Sequence, residues 1–167
     1  MVIFEPNPHN LSRLRRNLEL NDISPRVVAI ALADTSGRIP FDHPTLDQRE
    51  WKAKGSIAPA PQTDSVDVDA RAGDELVDAG EIPAPTVVKI DVEGAESLVI
   101  DGLQDTLARD KCRLLYCEIH QQSDQRRSTK TYGATPEATV GAIEALGFAT
   151  EQIAERPAEV LLKGTKQ

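Results

Sequence analysis

Acidic side chains follow three apolar segments of the chain, at positions where carboxylates can bind a ligand or take part in catalysis. They are Glu5 after residues 2–4, Asp91 and Glu93 after residues 87–90, and Glu118 near the end of residues 112–120. In open parallel α/β sheets, ligands bind beyond the carboxyl ends of the strands. We therefore expect these acidic groups to converge on one functional edge of a sheet.

Helix capping is the alternative explanation for some of these acids. A carboxylate near a helix N-terminus gains about 0.3–1 kcal/mol from the helix dipole. For Glu93 and Glu96, we give helix capping and a functional role equal weight. For Glu5 and Asp91 we favour function, because a charge at the buried end of a strand needs a partner. A carboxylate in the position of Glu5 can accept hydrogen bonds from both ribose hydroxyls of an adenosine-containing cofactor.

Hydrophobic periodicity predicts the elements that position these residues. Buried strands are predicted at residues 2–4, 26–34, 86–92 and 112–120, and helices at residues 10–22, 73–80, 94–110 and 136–146. Residues 65–71 are expected to form a short edge strand, and residues 148–155 and 158–164 a closing antiparallel pair. Because buried strands alternate with helices, we predict an α/β fold with a mostly parallel sheet.

Size and composition limit the remaining possibilities. The chain has 167 residues, which is typical of one domain, and the proline-rich stretch at residues 40–65 predicts a loop excursion. The net charge of -8 argues against nucleic-acid binding, which requires clustered Lys and Arg. We expect no membrane contact and a cytoplasmic protein, because we find neither a long apolar run nor a signal-peptide pattern. Cys112 and Cys117 are expected to be buried apolar side chains rather than disulfide or metal ligands.

Four segments of the sequence resemble a known family. They are VIFEPNPHNLSRLRRNLELND, ALADTSG, VVKIDVEGAESLVIDGL and LLYCEIH, in the order and at about the spacing of FkbM-type methyltransferases. The resemblance implies a Rossmann-like class I fold that binds S-adenosylmethionine and transfers its methyl group, usually to a hydroxyl of a sugar or another small molecule. Residues 1–167 then form a single, partial methyltransferase-like domain.

The resemblance also implies roles for individual residues. Glu5 is similar to the ribose-binding acid, Asp34 lies in the region near the adenine, and Asp91 lies close to the methionine part of the cofactor. Asp91, Glu118 and His120 face the acceptor and form the expected catalytic set. His120 is the candidate general base, because an unperturbed imidazole titrates at about pH 6.5; a hydrogen-bonded structural role is its alternative. Turn capping is an equal alternative for Asp34.

A metal ion is not expected, although one set of oxygen ligands is conceivable. Asp91, Glu93 and Glu118 have carboxylates suited to a divalent cation, but their order and spacing match no metal motif. The acceptor and the oligomeric state stay open, and a homo-oligomer is compatible with the sequence. Trp51 and Tyr132 are aromatic residues that can stack on an acceptor, although we favour a packing role for both.

The sequence departs from the family pattern at its start. Class I methyltransferases normally begin with a first strand and a glycine-rich loop, whereas this chain starts at the second strand. We therefore expect an N-terminally truncated sheet that binds S-adenosylmethionine weakly or not at all on its own. There are two alternatives. The second and fourth strands pair directly, or a partner chain fills the place of the missing first strand. A non-catalytic methyltransferase-fold relic or interaction module is the competing function, and a nicotinamide-dependent oxidoreductase is a weaker one.

Overall fold

The computed structural model of the chain describes residues 1–42, 55–59, 65–121 and 128–166. The strands are β1 (Val2–Phe4), β2 (Arg26–Val28), β3 (Ala31–Leu32), β4 (Gly37–Asp42), β5 (Ser56–Ile57), β6 (Ser65–Arg71), β7 (Val87–Ile90), β8 (Leu114–His120), β9 (Ala149–Arg156) and β10 (Glu159–Thr165). The helices are α1 (Pro8–Leu20), α2 (Gly73–Asp78), α3 (Glu96–Asp101), α4 (Gln104–Ala108) and α5 (Pro136–Ala145), with a short 3-10 helix over Thr129–Tyr132. The mixed α/β class agrees with the prediction.

Within these ranges the strands form three sheets. The first pairs β1 with β2 in parallel, the second has the order β3-β6-β4-β5, and the third has the order β7-β8-β10-β9. Three ladders are parallel and four are antiparallel. The prediction of a mostly parallel sheet is therefore wrong for the described residues, because β4 and β10 each run antiparallel to both of their neighbours. The predicted C-terminal hairpin is confirmed as β9 and β10.

The first sheet is built by a strand, helix, strand unit, as predicted. Asn7 caps α1, since its side chain accepts the His9 N–H at 3.0 Å, and Pro8 occupies the first turn. Leu11 is the buried residue of α1. Helix α1 thus returns the chain so that β2 can pair in parallel with β1. Glu5 directly follows β1, at its carboxyl end.

One face of the third sheet carries the main hydrophobic core. Its buried members are Ile90, Val99, Ile100, Leu103, Leu107, Cys112, Leu115, Cys117, Ile119, Ile143, Phe148 and Leu162. Burying a side chain of this size contributes about 1.5–3 kcal/mol, so the cluster holds α3 and α5 firmly on the sheet. Both cysteines are free and wholly buried, which confirms their predicted role as apolar side chains.

Helix α2 connects the first sheet to the helices of the third. Leu76 and Val77 are buried against partly buried Val2 and Phe4 of β1. At the other side, the Asp74 carboxylate accepts the backbone N–H groups of Asp105 and Thr106, at 2.9 and 2.7 Å, and so caps the start of α4. The position of β1 is therefore coupled to the position of α4 through one short helix.

Two strand predictions need correction. Residues 26–34 are two strands rather than one, because β2 pairs with β1 whereas β3 pairs with β6 of the second sheet. The predicted edge strand at residues 65–71 lies inside its sheet, with β3 on one side and β4 on the other. Both errors arise because apolar alternation indicates a strand but not the neighbours with which it pairs.

The single helix predicted over residues 94–110 is divided into α3 and α4 at Gly102 and Leu103. Gly102 sits against the backbone of the chain segment that follows β3. A Cβ atom at this position would lie 1.9 Å from the carbonyl oxygen of Ala33. The close approach of two backbones explains a glycine in the middle of an otherwise helical pattern.

The loop predicted at residues 40–65 is only partly described. Its first residues belong to β4, and Ser56–Ile57 forms β5, which pairs antiparallel with β4. Residues 43–54 and 60–64 lie outside the described residues, and Trp51 lies there too. The excursion thus contains short strands at its start and at Ser56–Ile57, and the rest of it lies outside the described residues.

The first and third sheets stay separate in the part of the chain that the structure describes. No ladder there joins β1 to β7, the two strands that the sequence analysis placed beside a missing one. Val87 of β7 is 55% exposed at the sheet edge. Direct pairing of these strands, one of the alternatives considered, is thus not observed. None of the helices among the described residues has the length and apolar character required to cross a bilayer.

Substituting two glycines tests this packing. Gly102→Ala should lower the free energy of unfolding by about 1–3 kcal/mol, because the new methyl group overlaps the Ala33 carbonyl. Gly141→Ala is the matched control, since Gly141 is a helical glycine in α5 with open space around its Cβ position. It should be stabilising by about 0.5–1 kcal/mol through helix propensity. Urea unfolding of both variants measures the difference, and equal effects would contradict the close contact.

Candidate functional site

A tight turn leads from β7 into α3 and forms one side of the candidate site. Glu93 and Gly94 both have positive φ angles, of 52° and 102°. A positive φ is strained for a glutamate, whereas glycine adopts it readily. The Glu96 carboxylate accepts the Gly94 N–H at 2.8 Å through Oε1. The turn therefore holds Glu96 inside the protein at the first position of α3.

Glu96 and His120 form a buried pair at the centre of the site. Both residues have 0% exposure, and Nδ1 of His120 lies 2.7 Å from Oε1 of Glu96. Neither a carboxylate nor an imidazole is stable in an apolar interior without a partner, so each residue supplies the partner that the other requires. The contact joins the start of α3 to the last residue of β8.

The second ring nitrogen of His120 has a different environment. Nε2 is buried and makes no hydrogen bond, although Glu93 Oε2 is 3.4 Å away and Glu159 Oε2 is 3.9 Å away. Desolvation by burial disfavours the charged imidazole. The hydrogen bond and charge of Glu96, with the charges of neighbouring acids, outweigh this and raise the pKa of His120 above its ordinary value.

Asp91 and Glu118 lie beside this pair at the carboxyl ends of β7 and β8. The ammonium of Lys89 lies between them, with Nζ 3.2 Å from Asp91 Oδ2 and 3.2 Å from Glu118 Oε1. The parallel register explains the arrangement, since Ile90 is paired with Cys117 and the next residues of both strands are these two acids. Asp91 is exposed and Glu118 is partly buried.

The structure brings the predicted catalytic set together. Asp91, Glu118 and His120 each offer one oxygen or nitrogen atom, and these atoms lie within 4.8 Å of one another. The expectation that strand-end groups converge is met for β7 and β8, which are adjacent parallel strands. Carboxylates and an imidazole at this distance can hold a cation, position a hydroxyl group or accept its proton.

Glu5 lies away from this cluster, in the first sheet. Its Oε1 accepts the Asn7 N–H at 2.8 Å and its Oε2 accepts the Asn10 side-chain N–H at 3.3 Å. Burial raises the pKa of Glu5 above its ordinary value, and these two hydrogen bonds offset the effect only in part. The carboxylate therefore supports the start of α1 while remaining at the end of β1, where a ribose-binding acid is expected.

Asp34 lies in an exposed turn between β3 and β4. Next to it, Asp101 at the end of α3 has a raised pKa, caused first by burial and then by the negative charge of Asp34. Asp34 therefore lies close to the end of α3, and it is not part of the group formed by Asp91, Glu118 and His120.

Sequence reasoning missed three members of the site. For Glu96, capping and function had equal weight, and its role as the buried partner of His120 was not predicted. Glu159 and Lys89 were not among the predicted site residues. A signal for Glu96 existed, because it shares a helical face with Val99, Ile100 and Leu103, which are all buried. Glu159 enters through the pairing of β10 with β8, which places it opposite His120. A long-range pairing of this kind leaves no local pattern.

The aromatic residues proposed for acceptor stacking have a simpler arrangement. The Tyr132 hydroxyl donates a hydrogen bond to the carbonyl of Ile57. It thus ties the 3-10 helix to β5, which agrees with the packing role that was favoured. Trp51 lies outside the described residues.

Comparison with known proteins gives a consistent result. A family model described as the methyltransferase FkbM domain matches residues 1–152. The hexuronic acid methyltransferase AglP of Haloferax volcanii is 34% identical over 130 residues, covering 76% of this chain and 50% of that protein. The 2-O-methyltransferase NoeI of Sinorhizobium fredii is 33% identical over 135 residues, covering 73% of this chain and 54% of that protein. The chain thus spans about half the length of these curated relatives.

A solved structure is similar in fold. The crystal structure of an FkbM methyltransferase from Methylobacillus flagellatus aligns with 98% of this chain and 36% of its own length, with a TM-score of 0.60. The sequence identity is 17%, so this similarity describes the fold alone. The strand and helix arrangement of the described residues therefore occurs within a larger known protein.

The buried pair can be tested by removing one member. Glu96→Ala should lower the free energy of unfolding by about 3–5 kcal/mol, because it leaves the His120 imidazole buried without its partner. Glu151→Ala removes an exposed acid from β9 of the same sheet and should change stability by less than about 0.5 kcal/mol. Urea unfolding measures both, and similar small effects would show that the Glu96 contact contributes little.

The environment of Glu5 predicts a stabilising substitution. Its raised pKa means that the folded chain holds the proton more tightly than the unfolded chain, so stability from this group falls as the pH rises through the folded pKa. Glu5→Gln should therefore be more stable than the parent at neutral pH. The difference should disappear below the ordinary value of 4.5, where Glu5 is protonated in both states. Glu19→Gln, an exposed change on α1, is the control, and a destabilised Glu5→Gln protein would contradict this account.

Proposed function

This chain belongs to the FkbM methyltransferase family, and we propose that the protein transfers a methyl group from S-adenosylmethionine to a hydroxyl oxygen of a sugar. The family assignment made from the sequence motifs is thereby confirmed. One observation carries the proposal further, namely the meeting of Asp91, Glu118 and His120 at the carboxyl ends of two parallel strands. Ligands bind at this edge in open α/β sheets.

The relatives support the acceptor class. AglP is described as a hexuronic acid methyltransferase and NoeI as a 2-O-methyltransferase, so the first description names a sugar acid and the second names an oxygen as the methyl acceptor. We propose a sugar hydroxyl as the acceptor for this protein too, and a hexuronic acid as the first acceptor to test. A small-molecule acceptor also agrees with the net charge of -8, which is unfavourable for a nucleic-acid partner.

Glu5 fits the cofactor that this function requires. Its carboxylate lies at the end of β1 and is half-buried. One oxygen accepts the Asn7 N–H and the other accepts the Asn10 side-chain N–H. Each oxygen has a further lone pair for a ribose hydroxyl. We propose that Glu5 binds the ribose and that Asp34 and Asp91 lie along the remainder of the cofactor in a Rossmann-like arrangement.

His120 is proposed as the base of the reaction. S-adenosylmethionine supplies a sulfonium-bound methyl group, which the acceptor oxygen takes as the carbon–sulfur bond breaks and S-adenosylhomocysteine leaves. His120 Nε2 accepts the hydroxyl proton, and the Glu96 carboxylate holds Nδ1–H and stabilises the resulting imidazolium. Nε2 is buried, so the neighbouring side chains have to move before the acceptor can reach it.

A second candidate function rests on the separation of the first and third sheets. Glu5 belongs to one of these sheets and His120 to the other, and no ladder joins β1 to β7 among the described residues. A fold that keeps its core but cannot hold the cofactor across this space would serve as an interaction module. This reading predicts a stable protein without measurable S-adenosylmethionine binding.

The test measures transfer of a labelled methyl group by the full-length protein, with glucuronic acid glycosides and matched glucosides as acceptors. Glu5→Gln should raise KM for S-adenosylmethionine about tenfold or more, because charge-assisted hydrogen bonds to the ribose are lost. His120→Asn should lower kcat by about 100-fold or more. Glu19→Gln should leave both constants unchanged.

The two candidate functions give different results in this test. Folded protein that neither binds S-adenosylhomocysteine in calorimetry nor methylates any acceptor would overturn the enzyme proposal and favour the interaction module. If the Glu5→Gln protein had the KM for S-adenosylmethionine and the kcat of the parent, only the proposed ribose-binding role of Glu5 would be overturned.

A further inference from the structure

We propose that Asp91, Glu118 and His120 form a binding site for one divalent first-row transition-metal ion such as Mn²⁺. One atom from each side chain lies within 4.8 Å of the others. Two ligand atoms on opposite sides of such an ion are about 4.0–4.4 Å apart, given metal–ligand distances of about 2.0–2.2 Å. Small side-chain movements are therefore sufficient to close the set around an ion.

The histidine is arranged as metal-binding histidines usually are. A ligating imidazole commonly donates its other N–H group to a carboxylate, which fixes the ring orientation. Here Glu96 holds Nδ1 at 2.7 Å, which leaves Nε2 as the nitrogen available to an ion. Nε2 is wholly buried and makes no hydrogen bond. A buried polar atom without a hydrogen bond is unfavourable, and a cation would satisfy it.

Lys89 shows that the two carboxylates already attract positive charge. Its ammonium lies 3.2 Å from an oxygen of Asp91 and 3.2 Å from an oxygen of Glu118. The lysine side chain is half-exposed and its stem is flexible, so the ammonium can move into solvent when an ion takes its place. In the absence of an ion, Lys89 relieves the repulsion between the two acids.

The ligand types and exposure indicate the kind of ion. Two carboxylate oxygens and one imidazole nitrogen suit manganese or another first-row ion better than calcium, which prefers oxygen ligands alone. Asp91 is exposed, so one side of the ion would remain open to water or to a hydroxyl group. An open position is typical of catalytic rather than structural metal sites.

This inference does not depend on methyl transfer, because ion binding can be measured by itself. It changes the role of one residue, since an Nε2 atom that holds an ion cannot also accept the acceptor proton. Failure of the ion to bind would leave His120 as the base. Failure of methyl transfer would leave the ion site in place.

The experiment titrates the full-length protein with Mn²⁺ and follows the free ion by electron paramagnetic resonance. We expect saturable binding of one ion per chain. Asp91→Asn and Glu118→Gln should each weaken it about tenfold or more, and Glu96→Gln should weaken it about tenfold by releasing the imidazole. Glu151→Gln, an exposed acid on β9 of the same sheet, should bind as the parent does.

Lys89→Met provides a result that misfolding cannot imitate. Removing the competing ammonium should tighten Mn²⁺ binding several-fold. Lys163→Met is its control. Lys89 on β7 and Lys163 on β10 both pair with Tyr116 of β8, one from each side, so this substitution removes the same charge at the same level of the sheet. Absence of saturable binding up to about 1 mM Mn²⁺ would overturn the proposal, as would equal affinity in the parent and Asp91→Asn proteins.

Discussion

The contact between Glu96 and His120 is the interaction on which the rest of the site depends. Two ionisable side chains are buried together, and the low dielectric of the interior makes each one unfavourable without the other. Their contact fixes the start of α3 against the end of β8. The Gly94 turn, whose N–H bonds to the same carboxylate, is held by the same contact. The positions of Glu93 and Asp91 beside the imidazole follow from this arrangement.

The surroundings of the pair favour positive charge. Four acids, Asp91, Glu93, Glu118 and Glu159, lie near His120; Lys89 contacts Asp91 and Glu118, and Arg156 contacts Glu159. Both proposals make use of these carboxylates. A sulfonium group and a divalent ion are cations, and each would find carboxylates already in place with little rearrangement.

Sequence reasoning predicted the local structure better than the assembly. The helices predicted near residues 10–22 and 136–146, the strand before Asp91 and the closing hairpin all depend on nearby residues, and the structure has each of them. Cluster formation by Asp91, Glu118 and His120 followed from a general rule for strand ends. The partners of His120 did not follow, because the sequence pattern around Glu96 fits a helix cap equally well and Glu159 reaches His120 through strand pairing. The division of residues 26–34 between two sheets also depends on distant neighbours.

The proposed methyl-transfer site requires Glu5 and His120 to keep a fixed separation, although they lie at strands of different sheets. Helix α2 is the element that can maintain it. Its apolar face packs on β1, while Asp74 caps α4, and α4 belongs to the core that supports β8. The Asp74 carboxylate is hydrogen-bonded to two backbone N–H groups of α4, which limits sliding between α2 and α4. A shift of α2 would therefore move the ends of both β1 and β8. Under the proposed function, this short helix therefore sets the distance between Glu5 and His120 that the cofactor and acceptor together span.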